Sequence, residues 1–196
     1  RPVMLTDLQS AEIIKYASNA FLATKISFIN EIANFIGKAG GNVKEVARGM
    51  GFDSRIGSRF LYAGIGYGGS CFPKDVKALI HTGGEYDFDF SILRAVEASN
   101  EKQKLLPVAY LRKSLKSLKG KKIALWGISF KPRTDDVREA PALSIIEALT
   151  RAGAVVTAFD PVAMETGKAA IGKNKFVKYA KDQYEALRGA DARHNV

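Results

Sequence analysis

The stretch Ile123-Ala124-Leu125-Trp126 is an apolar run of the length of a buried strand, and it decides the fold class of the second half of the chain. A helical pattern follows from Ala140 to Ala152, and then a second apolar run, Ala154-Val155-Val156-Thr157-Ala158-Phe159. Phe176-Val177 is a candidate third strand, with a helix expected around Tyr184 to Leu187. Strands that alternate with helices are typical of a parallel α/β sheet, so residues 119–196 are predicted to form a Rossmann-like domain.

The first half of the chain is predicted to be helical. Thr6-Asp7-Leu8-Gln9 has the pattern of a capping box, and a helix is expected from there to about Ile36. Because this helix is apolar on nearly every side, we expect it to be buried or to lie at a subunit interface. Asn42 is expected to cap a second helix that ends at Gly49 or Gly51. Residues 1–118 are therefore predicted to form a helical domain.

A long helix is expected to connect the two domains. Ser91 is its predicted cap, and the apolar pattern continues to about Leu118. Pro107 is expected to break or kink it, since proline lacks the N–H that a helix needs. Lys119-Gly120-Lys121-Lys122 is the predicted domain boundary.

Composition restricts the possible functions. With 46% hydrophobic residues, 196 residues can build sizeable cores, and no apolar run is long enough to span a membrane. The net charge of +10 suits an anionic ligand, but the basic residues lack the aromatic neighbours typical of nucleic-acid recognition, so neither nucleic acid nor membrane is expected as a partner. A single cysteine excludes an internal disulfide and suits the cytoplasm. No metal site is predicted.

That cysteine lies in the stretch from Gly64 to Asp75, which reads Gly-Ile-Gly-Tyr-Gly-Gly-Ser-Cys-Phe-Pro-Lys-Asp. Pro73 suits the first turn of a helix, so Cys71 is expected at a helix N-terminus, where the helix dipole favours a thiolate. Lys74 adds a positive charge and Asp75 is a plausible partner in the same turn. A lone cysteine is more often a small buried residue, but the glycines leave little apolar wall around it, which favours a nucleophile.

Gly64, Gly66 and Gly69 also match the dinucleotide fingerprint G-x-G-x-x-G. The fingerprint is informative only between a strand and a helix of a βαβ unit. Residues 53–61 are too polar for a central strand, so we do not interpret the match as a cofactor site.

The segment Gly-Tyr-Gly-Gly-Ser-Cys-Phe-Pro-Lys-Asp at 66–75 resembles the catalytic-cysteine motif of the UDP-glucose 6-dehydrogenase family. The resemblance extends from about Leu5 to Ala192. It implies an NAD-dependent enzyme that oxidises UDP-glucose to UDP-glucuronate in two hydride transfers, through a thiohemiacetal and a thioester on Cys71. It also implies a homo-oligomer formed through the central helices.

The resemblance assigns the other catalytic residues. Lys15 and Asn19 match the family's Lys-x-x-x-Asn pair, which stabilises the oxyanion, and a buried lysine would suit this task. From the residues alone, a lysine that reaches solvent and a structural asparagine are equally acceptable interpretations. Asp75 is expected to orient or activate water.

The resemblance further implies contacts to substrate and cofactor. Arg55 matches the arginine that reaches the substrate of a neighbouring subunit, and Lys131 matches the lysine that meets the nucleotide sugar. The expected cofactor contacts are Lys74 and Arg138, whereas Arg133 is assigned nothing. From the residues alone, Phe60 and Tyr67 could pack on the base or sugar of the substrate, although aromatic residues near a loop more often pack only within the protein. Gly68 is also counted among the expected substrate-binding positions.

Two parts of the family pattern are expected to be missing from this sequence. The N-terminal NAD-binding domain precedes the region matched, and Arg193-His194-Asn195-Val196 departs from the pattern of a further strand. The alternatives are therefore a GDP-mannose 6-dehydrogenase, which shares the chemistry, and a non-catalytic module for oligomerisation and nucleotide-sugar binding.

Overall fold

The computed structural model describes residues 3–196 and divides into two compact units. The first comprises the chain up to Gly64 together with Cys71–Asn100, and the second comprises Ile65–Ser70 and Glu101–Val196. Arg1 and Pro2, with which the predicted helical domain starts, lie outside the described residues. The predicted fold class, a helical part followed by a parallel α/β part, is confirmed.

The first unit is built on a long helix. α1 (Leu8–Ala39) begins one residue later than the predicted capping box implies, because Asp7 rather than Thr6 is the N-cap and accepts a hydrogen bond from the Ser10 N–H at 2.8 Å. α2 (Val43–Gly51) is capped by Asn42 as predicted. α3 (Phe72–Glu85) follows Cys71, and its closest helical neighbour is α1.

α4 (Ser91–Leu115) runs through Pro107 without interruption, so the predicted break does not occur. The division between the two units falls within this helix, between Asn100 and Glu101, whereas the sequence places the domain boundary at Lys119–Lys122. The reason is packing: Val108, Leu111 and Leu115 of the C-terminal half of α4 pack into the core of the sheet.

The second unit contains a parallel sheet in the order β3-β2-β1-β4. Its elements, in chain order, are β1 (Lys122–Trp126), α5 (Pro141–Arg151), β2 (Val155–Phe159), α6 (Met164–Ile171), β3 (Val177–Tyr179), α7 (Gln183–Leu187) and β4 (Ala192–Asn195). The chain adds β2 and then β3 on one side of β1, and it then crosses back to add β4 on the other side, so the strand order reverses between β1 and β4. In sheets of this kind, ligands bind beyond the carboxyl ends of the strands at that point.

β4 corrects the expectation that the last residues leave the strand pattern. Arg193, His194 and Asn195 pair in parallel register with Ala124, Leu125 and Trp126. The pairing uses backbone groups, so the side chains need only suit the two faces of the sheet. The Arg193 side chain stacks on a neighbour on its face of the sheet, with its guanidinium carbon 4.7 Å from the centre of the Trp126 ring.

The main core lies on one face of the sheet, where Ile123, Leu125 and Val156 are fully buried against α5 residues such as Ile145 and Leu149. The opposite face carries a smaller cluster around Ala124, which includes Trp126, Phe159, Ala180 and Ala186. Strand β1 is therefore covered on both faces, as expected for a central parallel strand.

Candidate active site

Cys71 is the N-cap residue of α3, as predicted; it is exposed and forms no disulfide. Phe72 and Pro73 are the first two helical residues, so Pro73 occupies the second rather than the first position. The Cys71 carbonyl accepts a hydrogen bond from the Asp75 N–H at 2.8 Å. An exposed cysteine at the amino end of a helix is open to a ligand.

Asp75 organises the side chains around this helix end. Its carboxyl group is fully buried, and Oδ2 accepts hydrogen bonds from Lys15 Nζ at 2.8 Å and from Asn19 Nδ2 at 2.6 Å. Lys15 and Asn19 lie four residues apart on one face of α1, so a single carboxylate from α3 holds both. The structure thus joins three of the predicted catalytic residues.

The electrostatics of this cluster keep both partners charged. Burial alone raises the pKa of Asp75, but hydrogen bonds from Lys15 and Asn19 outweigh it and leave the pKa below its ordinary value. The hydrogen bond to Asp75 raises the pKa of Lys15, and a weaker electrostatic interaction with Cys71 acts in the same direction. Cys71 is therefore within electrostatic reach of the ammonium group.

Lys15 corrects the expectation of a buried lysine. Its side chain is 57% exposed, because only the ammonium group turns towards Asp75. A second cation, Lys74 Nζ, lies 3.4 Å from the other carboxylate oxygen, Oδ1. That oxygen is buried and accepts no hydrogen bond from the described residues, so Lys74 approaches it as a charge.

Arg55 and Phe60 lie in the loop between α2 and the glycine-rich segment. The Arg55 guanidinium forms an ion pair with Asp53 at 2.6 Å and is 88% exposed. Phe60 has a left-handed backbone, with a φ of 65°, and packs edge-on against Phe72, with 6.1 Å between the ring centres. Phe60 therefore contacts the first residue of the helix that carries the thiol at its end.

The glycine-rich segment before Cys71 belongs to the second unit. Gly69 N–H donates to the Arg138 carbonyl at 2.8 Å, and a Cβ on Gly68 would lie 2.9 Å from the carbonyl carbon of Glu139. Gly68 is therefore required by the close approach of two backbones. Tyr67 is only 7% exposed, which makes it a packing residue within this unit.

A cavity of about 410 Å³ lies beyond the carboxyl ends of the strands in the second unit. Its wall includes Gly127 after β1, Asp160 after β2 and Val196 after β4, together with Lys131 and Arg133 of the long loop after β1. Lys131 is exposed, and its Nζ lies 5.2 Å from the centre of the Phe130 ring. The loop after β1, which the sequence marks as a candidate site, thus lines this cavity.

Asp160 organises this cavity, and the sequence analysis did not identify it. Its carboxylate is only 4% exposed. Oδ2 accepts from the Ile128 N–H at 2.7 Å and the Ser129 N–H at 3.2 Å, and Oδ1 accepts from Val162 and Ala163. Burial raises its pKa, but these backbone hydrogen bonds outweigh that effect and lower it. The sequence feature that could have identified Asp160 is its position directly after a predicted buried strand.

Arg138, the predicted cofactor contact, is bound within its own loop. Its Nη2 and Nε donate to the two oxygens of Asp136, at 2.7 and 2.9 Å. The hydrogen bonds from Arg138 lower the pKa of Asp136 to about 2. The Arg138 charge is therefore largely neutralised by a carboxylate two residues earlier.

The part of the chain that the structure describes contains neither a metal-binding cluster nor a membrane-spanning helix. Over residues 3–196, no group of three or more His, Cys, Asp or Glu side chains is arranged to hold a metal ion. Within the same residues, no helix combines the length and apolar character needed to cross a membrane.

Comparison with known proteins identifies the family. Residues 9–102 match the central domain of the UDP-glucose/GDP-mannose dehydrogenase family, and residues 124–194 match the UDP binding domain of the same family. The two matches cover the helical region around Cys71 and the sheet with its cavity.

Individual relatives agree with this. UDP-glucose 6-dehydrogenase TuaD of Bacillus subtilis is 51% identical over 97% of this chain and 41% of its own length. The solved structure of a UDP-glucose dehydrogenase from Pyrobaculum islandicum has a TM-score of 0.95 at 38% identity, over 99% of this chain and 44% of that one. A GDP-mannose dehydrogenase from Pseudomonas aeruginosa has a TM-score of 0.57 at 28% identity, over 100% of this chain and 47% of that one.

The chain spans less than half the length of these relatives. Within that span, the matched residues 9–102 include the region around Cys71, and the matched residues 124–194 include most of the α/β region. The chain belongs to the UDP-glucose/GDP-mannose dehydrogenase family, of which it carries the central domain and the UDP binding domain.

Proposed function

We propose that this chain is part of an NAD-dependent UDP-glucose 6-dehydrogenase, which converts UDP-glucose to UDP-glucuronate. The observation that carries the proposal is the exposed Cys71 thiol at the start of α3, beside the Lys15–Asp75–Asn19 cluster. A nucleophile next to a fixed cation and an amide suits covalent oxidation of an aldehyde to an acid.

Cys71 acts as the nucleophile. Its thiolate attacks the aldehyde carbon formed in the first oxidation, and the new C–S bond gives a thiohemiacetal. The second oxidation converts this to a thioester, which water hydrolyses to release the acid and the thiol. The exposure of the sulfur leaves room for both the sugar and the water.

Lys15 and Asn19 stabilise the oxygen of the thiohemiacetal. Each uses one N–H for Asp75, which leaves further N–H groups on Lys15 Nζ and Asn19 Nδ2 for the oxyanion. Asp75 acts as a positioning residue, because a buried carboxylate with a lowered pKa holds donors in place and is a weak base at neutral pH. This positioning of Lys15 and Asn19 is a role in addition to the predicted one, in which Asp75 orients or activates water, and the lowered pKa makes activation of water the less favoured of the two.

NAD, when bound, supplies the hydride acceptor for both oxidations. Lys74 fits a contact to an anionic group of NAD, because its side chain is exposed and lies in the first turn of α3, three residues after Cys71. Arg138 fits less well, since its guanidinium is already paired with Asp136. We therefore assign Lys74 the stronger contribution from this chain.

The proposed substrate contacts rest on where each predicted residue lies in the structure. Lys131 lines the cavity of the UDP binding domain and is assigned to the nucleotide sugar. Phe60 is half-buried and offers a ring edge, whereas Tyr67 and Gly68 shape the segment before Cys71. Arg55 is exposed, so its proposed contact to the substrate of a neighbouring subunit requires release from Asp53.

We also propose that the chain forms a homo-oligomer through α1. Ile14, Phe21, Phe28 and Phe35 recur every seventh residue along this helix and are between 46% and 66% exposed. A seven-residue apolar repeat forms a seam that a second helix can cover. A cytoplasmic location is proposed because the sequence contains one cysteine and therefore no internal disulfide.

Trapping of the aldehyde tests the proposed chemistry. The chain is mixed with the 6-aldehyde of UDP-glucose, labelled with ¹³C at the aldehyde carbon, and the carbon resonance is followed by NMR. We expect a thiohemiacetal signal with the unchanged chain and none with Cys71→Ser. A signal that persists in Cys71→Ser, or that never forms in the unchanged chain, contradicts the assignment.

The alternatives have less support. The structural likeness to the UDP-glucose dehydrogenase is greater than that to the GDP-mannose dehydrogenase, at TM-scores of 0.95 and 0.57. A module that only binds nucleotide sugar would not need an exposed thiol beside the Lys15–Asp75 pair.

A further inference from the structure

The cavity of the UDP binding domain contains a cation to which the sequence analysis assigns no role. Arg133 lines this cavity together with Lys131, and both belong to the loop after β1. Both side chains are exposed. Their shared position beyond the carboxyl end of a parallel strand is where such sheets receive ligands.

Arg133 differs from the two arginines that were expected to meet substrate or cofactor. Arg55 pairs with Asp53 and Arg138 pairs with Asp136, in each case with the carboxylate two residues earlier. Among the described residues, no carboxylate is within ion-pair distance of Arg133, although Asp135 and Asp136 follow it closely. The guanidinium fork of Arg133 is therefore available to an anion.

The carboxylate in the same cavity does not compete for this cation. Both oxygens of Asp160 are occupied by backbone N–H groups, two on Oδ1 and two on Oδ2. The Ser129 hydroxyl donates to the Lys131 carbonyl at 3.0 Å and so helps to hold the loop. Among the side chains that line this cavity, the charged groups not already held in this way are thus the two cations.

The backbone of Arg133 adds an independent observation. Its φ is 61°, in the left-handed region that a residue with a side chain rarely adopts. This conformation costs free energy, and such residues occur preferentially at ligand sites. Glycine would relieve the cost but would remove the cation.

We propose that Arg133 is a second cationic ligand, beside Lys131, for the diphosphate group of the nucleotide sugar that binds in this cavity. The inference rests on the proposed function and extends it to a residue outside the motifs used to assign substrate contacts. Two cations on one loop match the two negative charges of a diphosphate, and a guanidinium can donate two parallel hydrogen bonds to one phosphate group.

Calorimetric titration of the chain with UDP, uridine and ADP tests the inference. We expect Arg133→Ala to bind UDP about tenfold more weakly, which is the effect of losing one charge-assisted hydrogen bond, and Arg133→Lys to lie between the two. Affinity for uridine should not change. Arg112→Ala removes an exposed arginine of α4 that does not line the cavity, and it should bind UDP as the unchanged chain does.

Arg133→Gly separates binding from folding. Because glycine accepts a positive φ, this variant should unfold at a higher temperature than the unchanged chain while binding UDP as weakly as Arg133→Ala. A purely structural role for Arg133 predicts that stability and affinity change in the same direction.

The outcomes are distinguishable. If the unchanged chain binds UDP and Arg133→Ala binds it equally well, the inference is wrong and the proposed function stands. If Arg133→Ala weakens ADP but not UDP, the cation serves a dinucleotide and its assignment to the substrate is wrong. If the unchanged chain does not bind UDP at all, both proposals are contradicted.

Discussion

Asp75 and Asp160 are both buried carboxylates, and they are stabilised in different ways. Asp75 is surrounded by side-chain donors from another helix, whereas Asp160 accepts hydrogen bonds from four backbone N–H groups. Side-chain donors can exchange one partner for another during a reaction, but backbone donors cannot move without the loop. Asp75 therefore suits a site that handles an oxyanion, and Asp160 suits a rigid wall.

Asp75→Asn should reduce stability in a pH-dependent way. The folded-state pKa of Asp75 lies below the ordinary value of 3.8, so its contribution is complete above about 3.8 and is lost as the pH falls through the folded-state pKa. At neutral pH the variant should lose about 1–3 kcal/mol of unfolding free energy. Urea unfolding at neutral and acid pH measures this, and a difference that does not shrink in acid would exclude an ionised Asp75.

Asp160→Asn should destabilise the second unit. An amide offers one acceptor oxygen, so two of the four N–H groups would face its NH₂ and remain unsatisfied. The expected loss is about 2–4 kcal/mol in urea unfolding. Asp135→Asn, at an exposed position in the preceding loop, is the control and should change stability by less than about 0.5 kcal/mol. Equal effects of the two substitutions would show that Asp160 is not a structural anchor.

At the scale of elements, two faces of α1 have different roles. One face contributes Lys15 and Asn19 to the cluster at Asp75, and the exposed apolar stripe Ile14, Phe21, Phe28 and Phe35 runs along the helix. A stripe of this length is rare on a monomer surface unless it is covered. If a second chain covers it, assembly would also fix the helix that carries two catalytic residues.

Phe28→Lys should therefore weaken self-association by at least about tenfold without unfolding the chain, because a charge is placed in an apolar seam. Sedimentation equilibrium measures the association constant, and circular dichroism checks the helix content. Tyr110→Lys changes an exposed aromatic residue of α4 outside the stripe and should leave association unchanged. A monomeric unchanged chain would refute the proposed oligomer.

The glycine-rich segment before Cys71 requires a residue without a side chain at Gly68. In Gly68→Ala the added Cβ would lie 2.9 Å from the Glu139 carbonyl carbon and 3.1 Å from Ala140 Cα, and backbone atoms do not yield easily. We expect a loss of about 1–3 kcal/mol in thermal or urea unfolding. Gly64→Ala is the matched control, since nothing lies within 4 Å of its added Cβ. Similar stability of the two variants would contradict the close backbone approach.

For the whole molecule, regular patterns were predictable and long-range partners were not. Apolar runs and caps located most helices and strands, and the cysteine motif located the thiol. Helix α6 was missed because Gly167 lies in its middle and no side chain caps it. Glycine is needed at this position because a Cβ there would lie 2.9 Å from Cγ2 of Ile128. Asp160 was missed because two of its four donors, the Ile128 and Ser129 N–H groups, lie in a distant part of the sequence. The exposure of Lys15 depends on where Asp75 lies in space.

Selective binding of UDP-glucose is the measurement that tests the central claim most directly. The chain is titrated calorimetrically with UDP-glucose and, separately, with GDP-mannose. The proposed function predicts saturable binding of UDP-glucose at one site per chain and at least about tenfold weaker binding of GDP-mannose. Equal binding of the two sugars, or tighter binding of GDP-mannose, would contradict the assignment to UDP-glucose.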